Sequence, residues 1–280
     1  MSAAAPTPDD ARKWPSIAAF LQFWLNGDFL EGAEKKEFDH YYGSYLRQFG
    51  PYVRHQYSEQ TREISEEIAS RTRPRLLEVG AGCGTESLWF NMLGATVTAI
   101  DLNTPRLDVA RMRQEKLREL GFASQVKFEE ASFFDFSPEE DFDLIWMEHT
   151  FHHLEPRAAV YAKILQLLKP GGGIFINEVN GWNPLLQLQF FLQRGFKTKT
   201  WVEDKDGNLV EYGNERITTP YALQRALRKQ GFVVETVRRF RILPNLNPPK
   251  GWMSIEKALL VVFPFMATHF NIVAYKPDHV

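Results

Sequence analysis

Residues 76–85, Leu-Leu-Glu-Val-Gly-Ala-Gly-Cys-Gly-Thr, leave a chain few ways to fold. The apolar run reads as a buried parallel strand, and the three alternate glycines as a sharp turn that a ligand can approach with no Cβ in the way. A helix begins near Thr85 and continues Glu-Ser-Leu-Trp-Phe-Asn-Met-Leu. Its free N–H groups and positive dipole end face whatever the loop holds, which suits a carboxylate or phosphate. A dinucleotide loop requires Gly-x-Gly-x-x-Gly, but counting from Gly80 places Thr85 where the third glycine should stand.

Ala95–Asp101 is a β-branched run ending in an acid, one crossover helix beyond the loop. Asp101 is therefore expected at the end of the neighbouring strand beside the same crevice, where a carboxylate can accept from both hydroxyls of a ribose. Val126–Glu129 reads as a third strand and Phe142–Trp146 as a fourth, which runs into Met147-Glu148-His149-Thr150-Phe151-His152-His153-Leu154. Chemistry in open α/β sheets sits outside the carboxyl ends of the strands, and helical spacing would group these histidines there. A neutral imidazole can take a proton from an alcohol or phenol, with His149 the first candidate and His152 the second. Alternatively, His152 and His153 cap or pack the turn. No metal is expected, because carboxylate or thiolate ligands are not evident alongside.

The Glu-x-Gly-x-Gly-x-Gly loop resembles the first motif of class I S-adenosylmethionine-dependent methyltransferases. Asp101, the Phe-Asp-Leu-Ile…His-His-Leu segment and the Leu-Lys-Pro-Gly-Gly turn at 168–172 extend the resemblance in the right order, covering residues 75–178 well. It implies that Glu78, Gly80, Ala81, Gly82 and Gly84 hold the methionine end of S-adenosylmethionine and Asp101 its ribose. Ser132 and Phe133 are implied at the adenine, and Leu102 and Met147 complete the cofactor set. Ser132 departs from the family, which commonly has aspartate there. Some members place metal-binding acids at the positions of His149, His152 and His153.

The expected architecture is a Rossmann-like α/β fold: a seven-stranded, mostly parallel sheet with an antiparallel last strand, an α-helical N-terminal cap and an acceptor lid. The cap spans residues 1–72, with 1–12 disordered and helices at Ser16–Leu25, Ala33–Phe49 (ended by Gly50-Pro51) and Ser58–Ser70. The methyltransferase core spans 73–280, with a lid inserted at 179–217. That lid combines an apolar helix after Pro184 with a hairpin turning at Asp206-Gly207. Its apolar face suggests a hydrophobic or aromatic small-molecule acceptor, or a homodimer contact.

With 280 residues, 44% of them hydrophobic, the chain can bury one substantial core. A formal charge of −2 gives no basic stripe for nucleic acid, and Asn247-Pro248-Pro249-Lys250 ends in lysine where base-methylating enzymes need an aromatic residue. A single cysteine, Cys83, excludes an internal disulfide and fits a reducing cytoplasm. No apolar stretch is long enough to span a membrane. The expected activity is methyl transfer from S-adenosylmethionine to a small acceptor, O-methylation with a histidine base above all. The rivals are a cofactor-binding protein of the same fold without transfer and an NAD-dependent oxidoreductase.

Overall fold

The computed structural model describes residues 13–203 and 209–278, so the expected disorder of 1–12 and the hairpin tip at Asp206-Gly207 lie outside the described residues. Five helices, α1 (Ile17–Asn26), α2 (Gly32–Tyr41), α3 (Gly43–Arg47), α4 (Pro51–Gln60) and α5 (Arg62–Ser70), precede β1 (Arg75–Val79). Next come α6 (Thr85–Met92), β2 (Thr96–Asp101), α7 (Thr104–Glu119), β3 (Lys127–Glu130) and β4 (Phe142–Glu148). After α8 (Arg157–Leu167), β5 (Leu168–Val179) and α9 (Pro184–Arg194) comes a hairpin of β6 (Lys199–Glu203) and β7 (Leu209–Gly213). The chain closes with α10 (Pro220–Lys229), β8 (Val233–Phe240), α11 (Trp252–Val262) and β9 (His269–Tyr275).

Seven strands form one sheet in the order β3-β2-β1-β4-β5-β9-β8. β1 runs parallel to β2 and β2 to β3, whereas β9 is antiparallel to both β5 and β8. This is the Rossmann-like sheet with an antiparallel last strand that the sequence predicts. No helix among the described residues is long and apolar enough to cross a membrane. The chain divides into two compact units, the first running to Trp146 with Pro244–Pro249, the second comprising Met147–Leu243 and the chain from Lys250 onward.

In the first unit the aromatic face of α1 is core: Phe20, Leu21 and Trp24 are buried. The helix expected over Ala33–Phe49 is two, because the backbone leaves helical geometry at Tyr42, whose hydroxyl is hydrogen-bonded to Thr85 Oγ1 at 2.6 Å. Gly50-Pro51 starts a helix as well as ending one. Pro51 occupies the first turn of α4, where its missing N–H costs nothing and its fixed φ suits the helix, so α4 begins seven residues before the expected Ser58. A break at Thr61 separates α4 from α5.

Helix α6 is buried on every side. Its polar side chains are accordingly all partnered: Thr85 by Tyr42 and Arg113, Glu86 by the Tyr57 hydroxyl, Ser87 by Glu78, and Asn91 by the Ala95 carbonyl and the Gln125 N–H. Arg113, fully buried on α7, also donates to the Cys83 carbonyl at 2.6 Å. Its guanidinium lies 4.7 Å from the Trp24 ring and 5.4 Å from Phe38, so the N-terminal helices and the glycine loop grip one charge.

In the second unit the β6–β7 hairpin is fastened to the segment following β4. Leu154 bridges to Tyr212, and a Cβ on Gly213 would stand 2.0 Å from the His152 carbonyl oxygen, so only glycine fits there. Buried Glu155 gathers Arg157, Arg216 and Lys199 from three separate segments. Helix α9 buries no side chain; Leu185 is 77% and Leu192 75% exposed.

At Gly84 φ is +75°, and a Cβ would meet Ala110 Cβ at 2.7 Å. Gly84→Ala is therefore expected to destabilise the protein by about 2–4 kcal/mol, combining left-handed strain with overpacking. Urea midpoints of the two proteins test this, and an unchanged midpoint would contradict the packing of the loop on α7.

Candidate active site

The glycine loop belongs to the first unit. Gly80, Gly82 and Gly84 have φ of +79°, +51° and +75°, and the Gly80 and Ala81 N–H groups both donate to the Ile100 carbonyl. That pair of bonds ties the turn after β1 to the end of β2. Asp101 completes the link: its Oδ2 accepts from the Gly82 N–H at 2.8 Å and its Oδ1 from the Asn103 N–H at 2.8 Å. A carboxylate has about four acceptor positions, so each oxygen keeps capacity for a ribose hydroxyl.

Glu78 is placed differently from an open ligand group. It is buried and accepts from the Ser87 hydroxyl, bracing β1 to α6; burial, reinforced by nearby Glu86, pushes its carboxyl well above the usual range. Leu102 is 60% exposed beside Asp101, offering a flat apolar surface. Ser132 accepts from the Phe134 N–H at 3.3 Å, while Phe133 is buried. Cys83 is buried, and burial pushes its thiol up to about 12, so it is a packing residue of the loop.

Two adjacent tyrosines of the N-terminal helices approach this loop. Tyr42 is buried on Thr85, whereas a Cβ on Gly82 would lie 2.3 Å from the Tyr41 hydroxyl. Arg106 lies over the Tyr41 ring at 5.0 Å and pairs with Glu37 at 3.3 Å. Tyr41 thus closes one side of the loop at Gly82, where only a glycine fits, with the Asp101 carboxylate bonded to the same residue's N–H.

The histidine segment belongs to the second unit, as does buried Met147. A short 3₁₀ turn, Phe151–His153, takes the place of the helix that would have grouped the three rings. His149 precedes that turn with φ +46°, its N–H donating to the Asn177 carbonyl at 3.0 Å. Its ring meets His269 edge-on at 5.1 Å and makes no hydrogen bond among the described residues. Burial pushes it down to about 4 despite Glu178 on β5, and His152, His153 and Arg241 push the same way.

His152 and His153 are committed to partners. His152 Nδ1 lies 2.8 and 3.1 Å from the two oxygens of Glu178, a fully buried carboxylate that also accepts the His152 backbone N–H. Burial pulls the His152 ring down, but the charge and hydrogen bond of Glu178, with Glu215 behind them, outweigh it and the net shift is upward. His153 Nδ1 lies 2.9 Å from the Gly213 carbonyl and its ring stacks on Tyr212 at 4.7 Å. A carbonyl only accepts, so Nδ1 carries the proton. Glu178, Glu215, Gly213 and His269 escaped sequence reasoning because no motif marks them; the Glu178 carboxylate at the end of β5 carried the only signal, an acid closing an apolar strand.

The strand order and glycine turn define the class I methyltransferase fold. Residues 77–176 match the methyltransferase domain family. A ubiquinone biosynthesis O-methyltransferase of Aeromonas salmonicida is 26% identical over 190 residues, covering 68% of this chain and 75% of the relative. Its counterpart in Xanthomonas axonopodis pv. citri is 34% identical over 120 residues, 41% of this chain and 48% of the relative, so the aligned part is about half of that protein. The solved structure of an S-adenosylmethionine-dependent methyltransferase from Methanosarcina mazei superposes with a TM-score of 0.53 at 18% identity, covering 74% of this chain and 94% of the other. Residues 77–176 thus carry a methyltransferase domain, and the sheet around them has the class I methyltransferase fold.

Burial of a neutral His149 ring makes stability depend on pH. The ring titrates near 4 when folded and near 6.5 when unfolded, so between those values the unfolded chain binds the extra proton. Stability is complete above about pH 6.5 and declines as pH falls toward 4, by up to about 3 kcal/mol from this residue. Urea midpoints at pH 7.5, 6 and 5, measured with chelator present, should fall less steeply for His149→Gln than for the wild type; equal slopes would contradict the assignment.

Proposed function

We propose that the chain methylates an oxygen of a small, largely apolar acceptor bearing a phenolic or alcoholic hydroxyl, with His149 as the base. The observation that carries this reading is the state of His149: a neutral imidazole at the carboxyl end of β4, with no hydrogen bond among the described residues, flanked by two histidines already committed elsewhere. S-adenosylmethionine, when bound, supplies a methyl group on a sulfonium and leaves as S-adenosylhomocysteine.

The residues of the chain bind and align. Asp101 would accept from the ribose hydroxyls, the loop from Gly80 to Gly84 would admit the methionine portion, Leu102 would pack on the adenine, and Ser132 would meet its edge. His149 would take the hydroxyl proton from the acceptor as its oxygen is methylated, and the imidazolium would then release that proton to water. A base that titrates near 4 is fully in its acceptor form at neutral pH but binds a proton weakly, so it suits an acidic hydroxyl better than a simple alcohol. The apolar surface of α9, with Leu185, Leu188 and Leu192 exposed, and the names of the ubiquinone-pathway relatives both support an aromatic, hydrophobic acceptor.

Calorimetric titration with S-adenosylhomocysteine, with NADH as control, tests the cofactor assignment. Asp101→Ala is expected to weaken binding about 10- to 100-fold through loss of charge-assisted hydrogen bonds. His149→Ala should leave that affinity unchanged and lower kcat on a phenolic acceptor by about 10²- to 10⁴-fold. Full activity in His149→Ala would remove the histidine base, and binding of NADH alone would remove the methyltransferase reading of the loop.

A further inference from the structure

Two helices of the second unit turn most of their apolar residues to solvent. Helix α9 buries none of its side chains, and α11 buries only Glu256, whose Oε1 accepts the Ile242 N–H at 2.7 Å. Leu185, Leu188 and Leu192 are exposed on α9, as are Val261, Val262 and Phe263 at the end of α11. Phe196, just after α9, is 91% exposed. The start of α9 is fastened to the turn that follows α11, because Asn183 at its N-cap donates from Nδ2 to the carbonyls of Met266 at 2.8 Å and Ala267 at 3.4 Å. We propose that α9 and α11 together form a docking surface for an anionic lipid bilayer.

Exposed apolar faces mark interaction sites, and charge decides which partner fits this one. From Val179 to Trp201 and from Lys250 to Thr268, the charged residues are Arg194, Lys197, Lys199, Lys250 and Lys257, with Glu256 as the one acid. Lys199 is paired with Glu211 and Glu155, and Glu256 is buried. Exposed Lys197, Lys250 and Lys257 and half-buried Arg194 make no ion pair among the described residues, and all are positive. Large apolar side chains interspersed with unpaired cations are what an interfacial helix presents, the first sinking to the acyl boundary and the second lying among anionic headgroups. A second copy of the chain fits worse, since an isologous contact would press the same cations against each other. Neither helix is long and apolar enough to cross a bilayer, so the protein would lie on it.

The surface has a fixed relation to the histidines. Val179, at the end of β5 and shortly before α9, pairs with His269, which follows α11 and meets His149 edge-on at 5.1 Å. Both helices are therefore joined to the sheet at the end that holds His149. Resting on the O-methylation reading, docking would set that end at the acyl boundary, where an apolar acceptor concentrates out of water. The acceptor class then narrows to hydroxylated molecules dissolved in a bilayer.

Flotation of the full chain with vesicles tests the surface, using phosphatidylcholine alone and an equimolar mixture with phosphatidylglycerol, with neither donor nor acceptor present. Wild type should bind the anionic vesicles at least about tenfold more strongly than the neutral ones, and that binding should fall as salt rises. Leu192→Glu and Val261→Glu, each at a largely exposed side chain, should melt like wild type and bind anionic vesicles more than about tenfold more weakly. Tyr221→Glu, at an exposed ring on α10, should bind like wild type. Lys197→Gln combined with Lys257→Gln should weaken binding to the anionic vesicles and leave binding to the neutral ones unchanged. No vesicle binding by wild type, or equal binding by wild type and all variants, overturns the surface. So does a dimer in sedimentation equilibrium that Val261→Glu dissociates and that binds no vesicles. Flotation and turnover separate the two readings: vesicle binding lost in both glutamate variants upholds the surface even where no oxygen acceptor is methylated. Methylation of a phenol in solution by a chain that never floats upholds O-methylation and removes the surface.

Discussion

Three alternate glycines in left-handed backbone geometry are the constraint on which the first unit depends. They bend the chain within five residues from the end of β1 into α6, and the bend presses the loop onto Ala110 and Phe128 on one side and under Tyr41 on the other. Because α6 is then enclosed on all faces, each polar group it carries must find a partner. The N-terminal helices supply Tyr42 and Tyr57, α7 supplies Arg113, and β1 supplies Glu78. The helices before β1 are thus part of the loop's own wall.

Burial and neighbouring charge sort the histidines of the second unit into different roles. His149 is enclosed with its partners at a distance, and desolvation keeps it neutral. His152 is more fully buried, yet a carboxylate with no solvent exposure stands against its Nδ1 and reverses the outcome. Residues of one type, three apart in sequence, acquire opposite proton affinities because β5 places Glu178 beside only one of them at hydrogen-bond distance.

The strands, the glycine loop and Asp101 were legible in the sequence, since each rests on local periodicity or on a turn that only glycine makes, whereas the antiparallel direction of the closing strand followed from the family resemblance. Helix boundaries before β1 were less so. Gly50-Pro51 carries the same signal whether it ends a helix or begins one, and the break at Tyr42 depends on a hydroxyl partner 43 residues away. The histidine triplet was visible, but helical spacing misdescribed it; the chain forms a single 3₁₀ turn between His149's left-handed backbone and the bridge at Leu154.

The sequence by itself determined the parallel strands, the glycine turn and the end of β4 at which the histidines lie, because these follow from short-range pattern and backbone permissiveness. Only the tertiary structure decided which carboxylates join the histidines. Glu178 arrives along β5 and Glu215 from beyond β7, 26 and 63 residues after His152. Long-range pairing of that kind is set by strand register and by the fit of Gly213 against the His152 carbonyl, neither of which leaves a local trace in the order of residues.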